Sequence, residues 1–358
     1  MTRTFLLQIE EQEFKVSTQI IELRLRHPFK ISRGTKEIVP NLFVTLEANG
    51  ITGTGEAGPN ARYGESADRA QAVIEGLKNY ISPLKQGEFT SMLAHEAASL
   101  ELPEQRSAAL ALETAWLDWK SKEAGSSLRY YLSISETITR PSSYTIGLDT
   151  PEKMAAKLEE RPEARVLKIK LGLSVEEDKR IIRQIRLCSD LPIRVDANEG
   201  WTDLKSAIEM VEFLADQSVE LIEQPMPSSV DYLMPQLKAV STLPLIADES
   251  LSVTGSLDLD VLAERFDGIN IKLMKIGSLL ESLNLLKAAH EKGLQVMTGC
   301  MIESSLGIAA GALIGVQADF VDLDGHLLIS NDPMQGLKTY SDGRIELGEL
   351  PGLGVGWA

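Results

Sequence analysis

Seven polar or charged residues recur along this chain at nearly constant intervals: Thr145, Lys170, Asp196, Glu223, Asp248, Lys272 and Asp322. The steps are 25, 26, 27, 25, 24 and then 50 residues, so only the last interval is doubled. Each residue lies at or near the carboxyl end of a short β-rich run. One reactive side chain per strand and helix unit, always at the same strand end, describes loops arranged around one pocket, as at the carboxyl face of a parallel barrel.

The runs are SYTIGL, VLKIKL, PIRVDAN, VELIEQP, PLIADES, FDGINIK, LQVMTG and ADFVDLD. Between them, residues 174–188, 202–215, 228–240, 256–265, 278–292 and 303–316 carry helical spacing, as in Ile181, Ile182 and Ile185. Strict alternation of strand and helix implies parallel strands joined by right-handed crossovers. Eight such strands predict a barrel over 142–330; an open doubly wound sheet is the second choice, because it does not call for a polar residue at nearly every strand end. Before residue 130 the pattern differs. Residues 14–26 and 42–48 alternate apolar and polar, residues 4–9 suggest a further strand, and the loop HPFKISRGT between them carries Arg33. Two helices are predicted, 66–84 with Ser66 as N-cap and 104–124 ending at Gly125. Residues 1–130 thus read as an α+β unit, completed by the Gly-rich, helix-free segment 331–358 folding back over it.

The 358 residues suffice for a barrel with such an accessory unit. With 36 Lys and Arg against 52 Asp and Glu, the net charge of −16 opposes attachment to nucleic acid or anionic lipid. Two cysteines, Cys188 and Cys300, are too few for a disulfide framework. No apolar run is long enough to span a membrane and the amino terminus lacks a signal-peptide pattern, so the simplest placement is cytoplasmic.

Asp196, Glu223 and Asp248 come from three consecutive strand ends. Three carboxylates facing one pocket repel unless a cation lies among them, and an all-oxygen set favours a hard ion such as Mg²⁺, one per subunit. His27, His95, His290 and His326 show no zinc-ligand spacing. Any single acid could instead cap the next helix. Asn198 faces the same side as Asp196, as a supporting partner or as a turn residue. Lys168 and Lys170 share one face of their strand, and Lys272 ends the sixth strand, nearly opposite. A metal and a like-charged neighbour are expected to lower the lysine pKa toward the range of about 7–8 useful for a base. Lys275 reads as a structural charge.

K-x-K, D-x-N, E-Q-P, D-E-S and the lysine of INIK, in that order, resemble the muconate-lactonizing branch of the enolase superfamily; RYGES at 62–66 and PFKISRGT are similar to its capping-domain motifs. The resemblance implies an α/β architecture, a modified TIM barrel (β/α)7β under an α+β cap. It also implies that Asp196, Glu223 and Asp248 bind Mg²⁺, that Lys170 and Lys272 are paired acid and base, and that Lys168 gives electrostatic support. Asp322 and Asp324, in DLD, resemble the D-x-D with which dipeptide epimerases hold a free amino terminus. Cys300, Met301 and Ile302 of CMIE, together with Thr145, resemble substrate-contact positions, and Arg33 is placed to meet an acidic second residue. The implied activity is epimerisation of a dipeptide at the α-carbon of its carboxyl-terminal residue, with Ala first and the second residue open, in a chain compatible with a homo-oligomer. The alternatives are N-succinylamino acid racemase, o-succinylbenzoate synthase or cycloisomerase chemistry, for which the DLD acids are a poor match, and a non-catalytic binding barrel.

Overall fold

The computed structural model describes residues 2–31, 34–80, 82–251 and 257–358. The first four strands, β1 (Arg3–Ile9), β2 (Gln12–Ile31), β3 (Gly34–Ala48) and β4 (Ile51–Ala57), form an antiparallel meander in chain order. The segment expected as a loop, HPFKISRGT, is mostly strand. After a register shift between Arg24 and Phe29, Phe29 pairs with Lys36, Lys30 with Thr35 and Ile31 with Gly34. Pro28 and the charged residues break the apolar alternation there, so the sequence pattern stops well before the strand pairing does. Strand β4, in ITGTGEA, also lacks the apolar signal because its glycines make room for a helix.

Three helices cover this sheet: α1 (Ala67–Gly76), α2 (Phe89–Ser99) and α3 (Arg106–Glu123). Ser66 caps α1 by accepting from the Arg69 amide, as its sequence position predicts. Helix α2 was not expected, and α1 ends earlier than 84. Helix α3 is buried along nearly its whole length and lies directly on β4. A Cβ at Gly55 would run into the Ala111 carbonyl and one at Gly53 into that of Ala115. Gly55→Val is therefore expected to lower stability by about 3 kcal/mol, since overpacking against backbone cannot relax by a side-chain move. A urea melt of the variant within about 0.5 kcal/mol of wild type would show that β4 and α3 are not so closely docked.

The second sheet contains eight parallel strands in sequential order: β5 (Tyr144–Ile146), β6 (Leu167–Lys170), β7 (Ile193–Asp196), β8 (Val219–Glu223), β9 (Leu245–Ala247), β10 (Gly268–Lys272), β11 (Gln295–Gly299) and β12 (Phe320–Asp322). The Ser143 amide donates to the Val321 carbonyl at 3.0 Å, joining the first strand to the last and closing the ring. Each predicted strand is present. The predicted helices appear as Val175–Arg186, Leu204–Ala215, Met234–Val240, Leu259–Arg265, Leu279–Glu291 and Ser305–Gly315, with a further short one at Pro151–Ala156. Ser174, Asp203, Asp258, Ser278 and Ser304 cap five of them with side-chain oxygens.

Two-residue alternation sorts the barrel interior into layers. Leu221, Ile246 and Met297, with Phe320 against them, form an apolar floor. Two residues further along the same strands stand Glu223, Asp248, Gly299 and Asp322. After β12 only a single 3-10 turn, Gly325–Leu327, follows where a helix would complete an eighth unit. The tail then turns back on the first sheet: Ser330 donates to the Arg24 carbonyl, the Leu128 amide to Gly352, and the Phe43 and Trp357 rings lie 5.3 Å apart. Among the described residues no helix is long and apolar enough to cross a membrane.

Candidate active site

The strand-end residues converge as their spacing predicts. Lys170 is in register with Asp196 and Asp196 with Glu223, while Lys272, Gly299 and Asp322 form a second row. The interruption in the charged series is thus filled by Gly299, where a Cβ would crowd the Asn270 amide and the Lys272 Cε. A glycine at that position leaves the Lys272 side chain its path into the pocket. Strands β6 and β10 are four apart in a ring of eight, so Lys170 and Lys272 approach from opposite sides. The three acids occupy the arc between them on one side; β11, β12 and β5 make the other arc.

The charges are buried and tightly paired. Lys168 Nζ lies 2.5 Å from Glu223 Oε2, 2.5 Å from Asp322 Oδ2 and 3.3 Å from Asp196 Oδ2. Lys170 Nζ is 2.5 Å from Asp196 Oδ2. Lys272 Nζ is 2.7 Å from Asp248 Oδ2 and 3.5 Å from Glu223 Oε1. Burial opposes the charged form of Lys168 and Lys272, but the surrounding carboxylates win and hold both ammonium groups well above the ordinary lysine range. Each of these lysines meets two or three carboxylates at contact distance; the lowering expected from sequence supposes a metal among those acids. Burial raises Asp196, yet Lys170 and Lys168 bring it down to about 2. Asp248 is likewise held well below its usual range, against its own burial, by Lys272 and Lys275.

Asp196 and Glu223 are fully buried and Asp248 is 4 % exposed. Among the described residues no set of three His, Cys, Asp or Glu side chains is gathered in a chelating arrangement, because the lysine ammonium groups lie between the acids. The donor chemistry nonetheless fits a hard divalent ion: three adjacent carboxylates, each already facing a cation and none accompanied by sulfur or imidazole.

Further residues hold this cluster, and to two of them, Gln224 and Asn270, the sequence assigned no role. Gln224, in the left-handed region at φ 38, accepts from the amides of Asp248 and Ser250 and donates to the Met226 carbonyl, tying the EQP loop to the DES loop. Asn270 donates to Glu223 Oε1 at 2.8 Å. Lys275, read from sequence as a structural charge, is buried and donates to Asp248 Oδ1 at 2.7 Å and to the Asp248 carbonyl. Its signal was available, since Lys275 follows Lys272 by one helical turn. Asn198 lies beside Asp196, whose Oδ1 accepts from the Asn198 amide at 2.9 Å.

Asp322 and Asp324 are also buried. Ser143 Oγ donates to Asp322 Oδ1 at 2.6 Å, and the Thr145 amide to Asp324 Oδ2 at 2.7 Å. Burial and the neighbouring Asp322 push Asp324 up to about 7, whereas Lys168 holds Asp322 below its usual range despite burial. A cavity of ≈ 620 Å³ opens above, walled by Lys168, Lys170, Lys272, Asp248, Asp322, Asp324, Thr145, Cys300, Met301 and Ile302. The first sheet roofs it with Phe29, Thr35, Lys36 and Val39, and the segment that follows β4 adds Asn60 and Tyr63. Arg33 lies outside the described residues; Lys36 is the cation that the adjoining strand brings to this wall. Arg62 of RYGES reaches across to Glu199 at 2.7 Å, and Glu56 accepts from the Ser304 and Gly307 amides, fastening the roof to the barrel.

Comparison with known proteins gives concordant matches. Residues 15–132 match the mandelate racemase / muconate lactonizing enzyme N-terminal domain and residues 152–358 the enolase C-terminal domain-like family. The chain is 36% identical over 337 residues to an L-Ala-D/L-Glu epimerase of Bacteroides thetaiotaomicron, covering 93% of this chain and 85% of that protein. It is also 36% identical to a hydrophobic dipeptide epimerase of a Flavobacteria bacterium, over 94% of this chain and 96% of the other. The crystal structure of a dipeptide epimerase from Cytophaga hutchinsonii, complexed with Mg and the dipeptide D-Ala-L-Val, superposes with a TM-score of 0.85 at 28% identity, covering 96% of this chain and 95% of that one.

Proposed function

This chain belongs to the mandelate racemase / muconate lactonizing enzyme family of the enolase superfamily, where its relatives are epimerases and hence isomerases, and on that premise we propose that it epimerises dipeptides at the α-carbon of the carboxyl-terminal residue. The observation that carries the reading is the pair of lysines, Lys170 and Lys272, on opposite sides of one cavity. Inversion of a carbon centre by proton transfer needs a base on one face and an acid on the other. Residues 142–330 form the catalytic barrel in this reading, and 1–130 with 331–358 form the cap.

Asp196, Glu223 and Asp248 would hold Mg²⁺, which when bound supplies positive charge to a substrate carboxylate and stabilises the ene-diolate left by loss of the α-proton. Lys170 or Lys272 takes that proton and the other lysine returns one to the opposite face. Lys168, buried against Glu223 and Asp322, adds fixed positive charge. The substrate ammonium is assigned to Asp322 and Asp324, which are oriented by Ser143 and Thr145 and so need not reorganise on binding. Asp324→Asn should then lower kcat/KM about 10²-fold, chiefly through KM, the scale of removing one member of a buried charge pair. Because Asp324 ionises near pH 7, KM for the wild type should rise as pH falls below about 7, and the Asn variant should lack that rise. Equal KM for the two proteins across this range would move the ammonium site elsewhere.

The first residue is assigned to Ala and the second is decided by the roof. Phe29, Val39, Tyr63 and Ile302 favour apolar side chains, and Lys36 in the same wall offers a partner to an acidic one. Incubation of Ala-Glu, Ala-Ala and Ala-Val in heavy water, with α-deuteration and diastereomer ratio followed by NMR, tests both the reaction and the preference. Deuteration and inversion of at least one of the three is the expected result; a protein that exchanges none of them is not an epimerase of Ala dipeptides. The succinyl-substrate alternatives receive no support from the two buried acids, which would repel an anionic acyl group.

A further inference from the structure

A second cleft, ≈ 540 Å³, opens beside the catalytic cavity and shares Phe29, Thr145 and Leu328 with it. The rest of its wall includes four basic residues, Arg26 and His27 from β2 and Lys157 and Arg161 from the segment between β5 and β6. The one carboxylate there, Glu160, is already engaged, 3.3 Å from His27 Nε2 and accepting from the Tyr144 hydroxyl at 3.3 Å. Among the described residues the side chains of Lys157 and Arg161 make no hydrogen bond or ion pair, and Arg26 uses only Nε, on the Leu327 carbonyl. In a chain of net charge −16, three permanent cations around one cleft at the mouth of the active site make a local field of the opposite sign.

We propose that this cleft is an anion-binding subsite that takes the side-chain carboxylate of an acidic first residue in the dipeptide. The proposal rests on the epimerase reading and extends it beyond Ala. The direction follows from Thr145. Its amide holds Asp324, the acid assigned to the substrate ammonium, and it forms part of both cavities, so the cleft lies on the amino-terminal side of the substrate. Neither Lys170, Lys272 nor any of the three metal-site acids borders it. Arg and Lys at its rim recognise a carboxylate by charge-assisted hydrogen bonds, and being part-exposed they do so in a salt-dependent way.

The test compares L-Glu-L-Ala with its neutral isostere L-Gln-L-Ala at low ionic strength. Wild-type protein is expected to show kcat/KM about 10-fold higher for the Glu peptide. A Lys157→Ala, Arg161→Ala double variant should bring that ratio to about one while Ala-Ala turnover stays within about twofold. Equal turnover of the two peptides by wild type, or a ratio that the double variant leaves intact, overturns the proposal. Should no dipeptide be epimerised, the reaction has been misread; isothermal titration calorimetry of the two peptides then decides the cleft alone. Tighter binding of Glu-Ala that the double variant loses supports it, and equal binding overturns it. Inorganic phosphate, titrated in parallel, separates a site for free anions: phosphate binding without discrimination between the two peptides also overturns a substrate-borne carboxylate.

Discussion

Lys272→Ala is expected to lower kcat/KM for dipeptide epimerisation by about 10³-fold, and Lys170→Ala by a similar factor, the range for loss of a positioned general acid or base. The two variants should differ in a way that neither simple misfolding nor loss of charge can imitate. Each retains one lysine on one face of the α-carbon, so each should still exchange the α-proton of one diastereomer with solvent deuterium while failing to invert it. Lys170→Ala should exchange the diastereomer that Lys272 deprotonates, and Lys272→Ala the other. The measurement is ¹H NMR of both diastereomers in heavy water with each variant. If either variant epimerises both diastereomers at the wild-type rate, the two-base assignment is wrong. Lys170 and Lys272 are 8 % and 7 % exposed, so truncation to Ala removes an ammonium from a buried cluster and leaves Asp196 or Asp248 with one cation fewer. Folding of each variant is therefore checked by its melting temperature before its rate is read.

The second large effect concerns the carboxylate arc. Treatment with a chelator should abolish turnover, and added Mg²⁺ should restore it, because the ion would place divalent charge beside a substrate carboxylate, where the lysines are already paired with acids. Glu223→Gln keeps the size of the side chain but removes the central carboxylate, and is expected to lose Mg²⁺ binding. A readout independent of turnover is thermal stability. A ligand at 100 times its dissociation constant stabilises the folded state by about 2.7 kcal/mol, so Mg²⁺ should raise the melting temperature of the wild type and leave that of Glu223→Gln unchanged. Full activity after exhaustive chelation, with no melting shift on adding Mg²⁺, would remove the metal from the mechanism. The lysines make this experiment informative. Lys168 and Lys272 each face two or more of the carboxylates, so the apoprotein has a charge-balanced cluster and should fold without the ion.

The barrel was legible because its signal is local and repeated. Each strand is a short apolar run, most of the helices have a capping residue, and the polar strand-end residues sit at one fixed point of the repeat. The same reasoning placed Asp196, Glu223, Asp248, Lys170, Lys272 and Asp322 together without knowledge of any contact, and the structure gathers their side chains at one end of the barrel. It failed where local pattern and pairing diverge. The arms of the β2–β3 hairpin were read as a loop because Pro28 and a run of charges hide the alternation, and β4 was missed because Gly53 and Gly55 serve the helix packed on them. Gln224 went unassigned because its importance lies in the loop it joins, the DES loop, and no spacing records that; Lys275 was read only as a structural charge, although it reaches Asp248 of the same loop.

The sequence by itself therefore determined the fold class, the ring of strand ends and the chemical type of each group on it, since periodicity, capping and residue chemistry are carried by neighbours in the chain. Only the tertiary structure decided how those groups are poised. Whether an ammonium in the pocket is lowered or raised depends on the carboxylates within a few ångströms of it, and Lys168 meets Glu223 from β8 and Asp322 from β12, partners remote in sequence. The same holds for the basic cleft, whose cations come from β2 of the first sheet and from the segment between β5 and β6 and so lie far apart in sequence. Coulomb interaction and desolvation act through space, and the chain order that sets the fold says little about which charges that fold will press together.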